Sequence, residues 1–154
     1  MENDEQVDIR QFITFITNGQ EFASSVMAIR EIRGWTEAEA LPGAPDYVRG
    51  VINLRGTVLP VIDLKAKLGL GQTAASSTNV IIVINNDDQI SGILVDAVSD
   101  IITLSISDIQ PPPHFCADTQ ANVVEGIAIY DGRMVTILNA SQMAAGCENL
   151  VATT

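Results

Sequence analysis

Residues 48–68 of this chain are echoed 76 positions later, at 124–144. Val48, Gly50 and Val51 meet Val124, Gly126 and Ile127, and Gly56 meets Gly132. Val58, Leu59, Val61 and Ile62 meet Met134, Val135, Ile137 and Leu138, and Asp63 meets Asn139. The shared plan is a strand, a Gly-containing turn, a second strand and a helix capped by Asp or Asn. A looser match sets Ile29–Ile32 on Val98–Ile101 at a shift of 69. Any two hairpins ending in a capped helix look somewhat alike, but a constant shift over 21 positions argues for a true repeat. The chain therefore reads as two copies of one five-strand unit of roughly 65–75 residues. A unit that small buries little surface alone and gains by packing against its twin. Grooves at the junction of two such units would suit helices or loops of partners.

The remaining segments fit an all-β plan of about ten short strands with small helices between them. Residues 1–9 read as a disordered lead. Gln11 to Ile16 and Gln20 to Ala23 flank Asn18-Gly19, a hairpin turn whose residues tolerate positive φ. Val26 to Arg33 is ambiguous between helix and strand, and its β-branched content favours strand. Leu41 to Pro45 is a loop. Val48 to Ile52 and Val58 to Ile62 flank the turn Asn53-Leu54-Arg55-Gly56. Pro60 lacks a backbone donor, so its strand should be an edge at that point or begin a bulge. Asp63 should cap a helix ending at Gly69. Val80 to Ile84, Ile90 to Val95 and Val98 to Leu104 are further strands, the first two joined by a turn at Asn85 to Asp88. Ser105 to Ile109 forms a helical turn, and residues 114–122 a loop. Val123 to Tyr130 and Arg133 to Leu138 form a hairpin over Asp131-Gly132, followed by a helix capped at Asn139. Strand alternation puts Val51, Leu59, Val61, Val83, Ile93, Val95, Ile127, Val135 and Ile137 in the core.

Composition narrows the function. The 154 residues carry 19 acidic and 8 basic side chains, a formal net charge of -11. Such a field repels phosphate backbones and anionic headgroups, so nucleic acid and membrane surfaces are poor partners. The same charge serves solubility or an acidic docking patch. No apolar run approaches the ~20 residues a spanning helix needs. The acidic start, Met1 to Asp8, does not resemble a signal peptide. Cys116 and Cys147 are too few for a disulfide framework or zinc site and read as reduced thiols of a cytosolic protein. No catalytic constellation emerges. His114 is the only histidine, and its spacing to Cys116 is not a metal spacing. No phosphate-binding glycine motif and no nucleophile elbow occurs. Asp87-Asp88 reads as a solvated hairpin tip. The expectation is no enzyme, no cofactor and no metal. The conspicuous polar groups are Glu31, set between Ile29 and Ile32, and Arg55, in a tight turn before an apolar strand. Charge beside aliphatic surface suits protein recognition; a local ion pair or a solvated turn arginine would look the same in sequence.

These segments resemble one family. Glu31-Ile32-Arg33-Gly34-Trp35, then Pro42 and Pro45, then Val48 through Gly56 with its Asn-Leu-Arg-Gly turn, and Leu59-Pro60-Val61-Ile62-Asp63-Leu64 are similar to the CheW family. So are Gly92 through Asp100 and Ile109-Gln110-Pro111. The resemblance covers roughly residues 10–146. It implies two SH3-like five-stranded β-barrel subdomains in a pseudo-twofold arrangement with short helices. The expected division is a subdomain at about 20–78, another at about 79–146, possible exchange of the N-terminal strand, and a flexible tail at 147–154. The resemblance also implies a non-catalytic adaptor that couples methyl-accepting chemoreceptors to the histidine kinase CheA in bacterial chemosensory arrays. Its partners would be the cytoplasmic hairpin tip of a receptor, the CheA regulatory domain, and other CheW-like domains in array rings. It would be cytoplasmic and recruited to membrane-associated arrays without inserting. The family's receptor-binding surface maps to Ile29, Glu31, Asn53, Leu54, Arg55 and Val58. No kinase-binding residue and no role for Arg49 is implied. Trp35 stands where the family usually has an aromatic or aliphatic residue. The absence of a following receiver domain disfavours a CheV-type fusion. Two other readings remain: a CheW-like coupling protein of a pilus or other non-flagellar pathway, and a small-ligand sensor using the groove between barrels. The sensor requires an enclosed pocket with convergent polar groups.

Overall fold

The computed structural model describes residues 9–86, 89–111 and 123–143. Its first hairpin is β1 (Ile9–Thr17) and β2 (Gln20–Ser25). The turn residues Asn18 and Gly19 have φ of 56° and 75°, the geometry whose twist matches that of the flanking strands. Ile9 already pairs with Ser105, so the last residue of the lead expected over residues 1–9 belongs to β1, and residues 1–8 lie outside the described residues. The ambiguous segment after β2 is divided. Ser25 accepts from the Met27 amide at 3.2 Å and caps a single 3-10 turn, Val26–Ala28, and β3 (Ile29–Gly34) follows.

The chain continues through β4 (Val48–Leu54), β5 (Thr57–Asp63) and α1 (Leu64–Lys67), then β6 (Val80–Asn86) and β7 (Gln89–Val95). After β8 (Ala97–Ser105) comes a second 3-10 turn, Ile106–Asp108, closed by a capping box between Ser105 and Asp108. The short β9 (Ile109–Gln110) was not expected from sequence. β10 (Val124–Tyr130), β11 (Arg133–Leu138) and α2 (Ala140–Met143) complete the described chain. Asp63 and Asn139 cap α1 and α2 as expected. His114, Cys116, Cys147, the Asp87-Asp88 tip, the 114–122 loop and the 147–154 tail lie outside the described residues.

The strands form two sheets, ordered β3-β6-β7-β5-β4 and β8-β1-β2-β11-β10-β9. The second differs from the five-stranded expectation only by the two-residue β9. Both follow one plan: an edge strand, a hairpin, then a parallel pairing, β5 with β7 and β11 with β2. β3 and β8 occupy the same place, as their shift of 69 suggested. The longer repeat holds in detail. Each copy has a bulge at its first strand, between Val48 and Gly50 and between Val124 and Gly126. The Asp63 amide donates to Tyr47 and the Asn139 amide to Val123, at 2.7 and 2.8 Å.

The sheets do not divide at 78/79. β6 and β7 join β3–β5, while the whole N-terminal hairpin, not one strand alone, crosses to β8–β11. Each hairpin thus completes the sheet of the neighbouring repeat. Pro60 lies in an internal strand, yet its edge character is local. Val51, opposite Pro60, directs its own amide and carbonyl to Glu39, and the parallel pairing of β5 begins only at Val61. The bulge sits in β4, not at Pro60.

Three cores follow. Ile52, Leu54, Leu59, Val61, Ile81, Val83 and Leu94 all come from the first sheet, which therefore curls on itself. Phe12, Ala23, Ile102, Leu104, Ala128, Val135 and Ile137 do the same for the second. A central core joins the sheets, with Phe15, Phe22, Leu138 and Met143 packed among Ile62, Leu64, Ile82, Ile93 and Val95. Burying each such side chain contributes about 1.5–3 kcal/mol. Of the expected core residues, Val51 and Ile127 are only half-buried. They are repeat equivalents, and the bulges at Gly50 and Gly126 shift the alternation so that Ile52 and Ala128 point inward instead.

Candidate functional site

β3 and β4 are opposite edges of the first sheet, and its curl brings their side chains together along a seam. At one end Arg55 and Gly56 form the two-residue turn of the β4–β5 hairpin, with φ of 51° and 90°. The Asn53 Oδ1 accepts from the Gly56 amide at 2.8 Å and closes the turn. Arginine is an unusual choice at positive φ, where Asn, Asp and Gly are favoured. The repeat equivalent is Asp131, at φ 53°.

The Arg55 side chain is 63% exposed and donates from Nη2 to Glu31 Oε1 at 2.6 Å. Arg33 Nη1 reaches the other oxygen, Glu31 Oε2, at 3.3 Å. The hydrogen bond from Arg55 is the main reason the Glu31 carboxyl titrates below its ordinary range; desolvation opposes it and Arg33 adds to it. Glu31 in turn raises the Arg55 guanidinium. The local ion pair left open by the sequence is therefore present, with the guanidinium still facing solvent.

The expected site residues separate into three groups. Glu31, Arg55 and Val58 share the exposed tip region; Val58 is 51% exposed and lies opposite Asn53 in the hairpin. Asn53 is exposed but serves the turn. Leu54 is corrected: it is buried at 6% exposure in the first sheet's core and offers no surface beside Arg55. Ile29 is half-buried against the central core. Leu54 lies in the core of the first sheet next to the turn, whereas Ile29 faces the central core.

The other end of the seam was not anticipated. Arg49 donates from Nε to the buried Asp63 at 3.2 Å and from Nη2 to the Thr73 carbonyl. Thr73 returns its amide and hydroxyl to Asp63 at 2.8 and 2.6 Å. The Arg49 guanidinium also lies over the Trp35 ring, 5.9 Å from its centroid. Arg49 is thus a structural clamp rather than a residue without a role. Nothing in sequence places Thr73 near Asp63, so the clamp was invisible there. Beside β4, where Glu39 pairs with Val51, lies an open groove of roughly 600 Å³ walled by Thr36 to Ala40 and Val51 to Asn53.

The equivalent tip of the second sheet is built differently. Arg133 grips Glu21 with two hydrogen bonds of 2.8 and 3.2 Å, beside exposed Ile129 and Met134. Among the described residues no group of His, Cys, Asp and Glu is arranged to hold a metal ion. No helix among them is long and apolar enough to cross a membrane.

The chain matches the family model described as the CheW-like domain over residues 11–147. It is 46% identical over 129 residues to the chemotaxis protein CheW of Rhizobium meliloti (strain 1021), covering 84% of this chain and 83% of that one. It is 35% identical to the chemotaxis protein CheW of Bacillus subtilis (strain 168), covering 85% and 84%. Among solved structures, the scaffolding protein TtCheW of Thermoanaerobacter tengcongensis aligns with a TM-score of 0.78 at 31% identity, over 84% of this chain and 88% of that one. A match across almost all of the repeat, in sequence and in fold, places this chain in the CheW-like domain family.

Proposed function

We propose that this protein is a non-catalytic adaptor coupling methyl-accepting chemoreceptors to the histidine kinase CheA, and that the Glu31–Arg55 tip faces the receptor. The observation that carries the reading is Arg55 itself. Its backbone position favours Asn, Asp or Gly, yet it presents a long cation to solvent on an exposed turn. Val58 supplies exposed apolar surface beside it, and Glu31 sets its direction. A receptor helix could share the guanidinium, which has five donors and spends one on Glu31. The CheA regulatory domain and neighbouring CheW-like domains are the other partners, which would bring the protein to membrane-associated arrays from the cytoplasm.

The test is a pull-down with a receptor cytoplasmic fragment. Arg55→Glu should weaken capture at least about tenfold while leaving the fold intact. Arg10→Glu, exposed on β1 in the other sheet, is the control; Arg49 cannot serve, because it holds Asp63. Exchanging both charges, Glu31→Arg with Arg55→Glu, restores an internal pair but not the outward cation, so capture should stay weak. Equal capture by Arg55→Glu and Arg10→Glu would overturn the receptor assignment.

A further inference from the structure

The Asn18-Gly19 turn is the chain's single Asn-Gly pair, and both residues are exposed. A Cβ built on Gly19 would meet nothing within 4 Å, and among the described residues no backbone acceptor takes the Gly19 amide. Other asparagines are engaged: Asn53 and Asn139 accept amides through Oδ1, and Asn79 donates from Nδ2 to the Ala74 carbonyl. The turn is pinned from outside its own hairpin. The Asn18 amide donates to Asp96 Oδ2 at 3.1 Å. The Asp96 amide donates to the Ile16 carbonyl at 3.0 Å, and the Thr78 hydroxyl donates to the Asp96 carbonyl at 2.9 Å. Asp96 alone stands between β7 and β8, where the chain passes from the first sheet to the second. The tip of the exchanged hairpin is thus tied to the crossing point of the two sheets. No lysine or arginine among the described residues pairs with Asp96.

We propose that Asn18 is a site of spontaneous deamidation, and that its conversion releases the tip of the β1–β2 hairpin from Asp96. The Gly19 amide nitrogen attacks the side-chain carbonyl carbon of Asn18. The new bond closes a succinimide ring, the bond from that carbon to Nδ2 breaks, and Nδ2 leaves as ammonia with the proton from the Gly19 nitrogen. Water then opens the ring. Opening at the former side-chain carbon leaves aspartate at position 18; opening at the main-chain carbonyl carbon leaves isoaspartate. Water is consumed, ammonia is released, and nothing is oxidised or reduced. Asparagine is a thermolabile residue, and glycine suits the step because no side chain shields its nitrogen or restricts its backbone. Either product puts a carboxylate on the residue whose amide the Asp96 carboxylate holds, and like charges at short range repel. Isoaspartate also routes the main chain through an extra carbon. A turn of this tight geometry cannot absorb that carbon while Thr17 stays opposite Gln20. The tie to Asp96 is lost, and the loss falls on the hairpin that completes the second sheet.

The test ages the whole protein in mildly alkaline buffer beside Asn18→Gly, which accepts the positive φ and carries no side-chain amide. Peptide mass spectrometry with isoaspartate methyltransferase labelling should place the conversion at Asn18 ahead of every other asparagine. Ammonia release should fall in Asn18→Gly. Hydrogen exchange should show protection lost at the Asn18 and Asp96 amides of the aged parent, with a lowered melting temperature, while aged Asn18→Gly matches its fresh sample. Fresh and aged parent carry the comparison alone should the variant fold poorly. An Asn18 that survives in the folded protein but converts in a urea-unfolded sample would overturn the site, because the folded turn would then protect it. Conversion at Asn18 with both amides still protected would overturn the release from Asp96.

Discussion

Removing the Asp63 carboxylate should destabilise this protein far more than removing its repeat equivalent, Asn139. Asp63 is 1% exposed and works in three ways. It caps α1 through the Lys65 and Ala66 amides, at 3.1 and 3.5 Å. It accepts both donors of Thr73, itself buried at 3% exposure. It also neutralises Arg49. Losing the cap costs about 1 kcal/mol. Leaving a buried amide and hydroxyl without acceptors costs about 1–3 kcal/mol more. Arg49 is 30% exposed and can turn to water, so its share is small. Asp63→Ala should therefore cost about 2–4 kcal/mol in total. Asn139→Ala, which removes one 3.3 Å bond to the Gln142 amide, should cost only about 1 kcal/mol. Urea unfolding followed by circular dichroism would measure both from the shift in midpoint. Equal losses in the two variants would refute the clamp, and with it the account of how Arg49 and Trp35 are held.

Val95 is fully buried in the central core, so Val95→Ala should cost about 1–3 kcal/mol; unchanged urea stability would place it outside the core. Gly50→Ala should be severely destabilising, because a Cβ there would stand 2.1 Å from the Glu39 carbonyl oxygen at a φ of 147°; soluble protein of parental stability would contradict the close approach. The folded-state pKa of Glu31 is lowered from 4.5, so the pair's contribution is present above that pH and is lost as pH falls through the lower folded value. Carbon-detected NMR should show Glu31 titrating below its ordinary value, and Arg55→Ala should move it upward; no movement would assign the shift to another cause.

The Glu31–Arg55 tip was only partly legible in sequence, and the reasons are local. Arg55 and Glu31 stood out because charge interrupts aliphatic strands, and they do meet. Leu54 was misread because a four-residue turn was assumed. The real turn is Arg55-Gly56 alone, so Leu54 is the last strand residue and obeys inward alternation with Ile52. Val51 and Ile127 were misread through one-residue bulges, which reverse parity without leaving a composition signal beyond Gly50 and Gly126. The Arg49 clamp joins residues separated by a loop, and no periodicity reports such a contact.

The repeat was the most legible feature, but its sequence unit and its sheet differ. Read along the chain, each copy is a hairpin followed by an edge strand, a second hairpin and a capped helix. In space the first hairpin, β1–β2, completes the second sheet, and β6–β7 completes the first. Local pattern cannot show this, since a hairpin carries its own turn and alternation wherever it docks. The physical consequence is that neither repeat can close its sheet from its own residues. Phe15 and Phe22, on the exchanged hairpin, also sit in the central core with Ile62 and Val95. Cutting the chain at 78/79 would strip β6 and β7 from β3 and β5 and expose Ile81, Ile82, Val83 and Ile93, each at most 2% exposed in the intact protein. The surface where β3 and β4 approach therefore depends on residues from both repeats, because β6 and β7 stand between β3 and β5 and provide the curl.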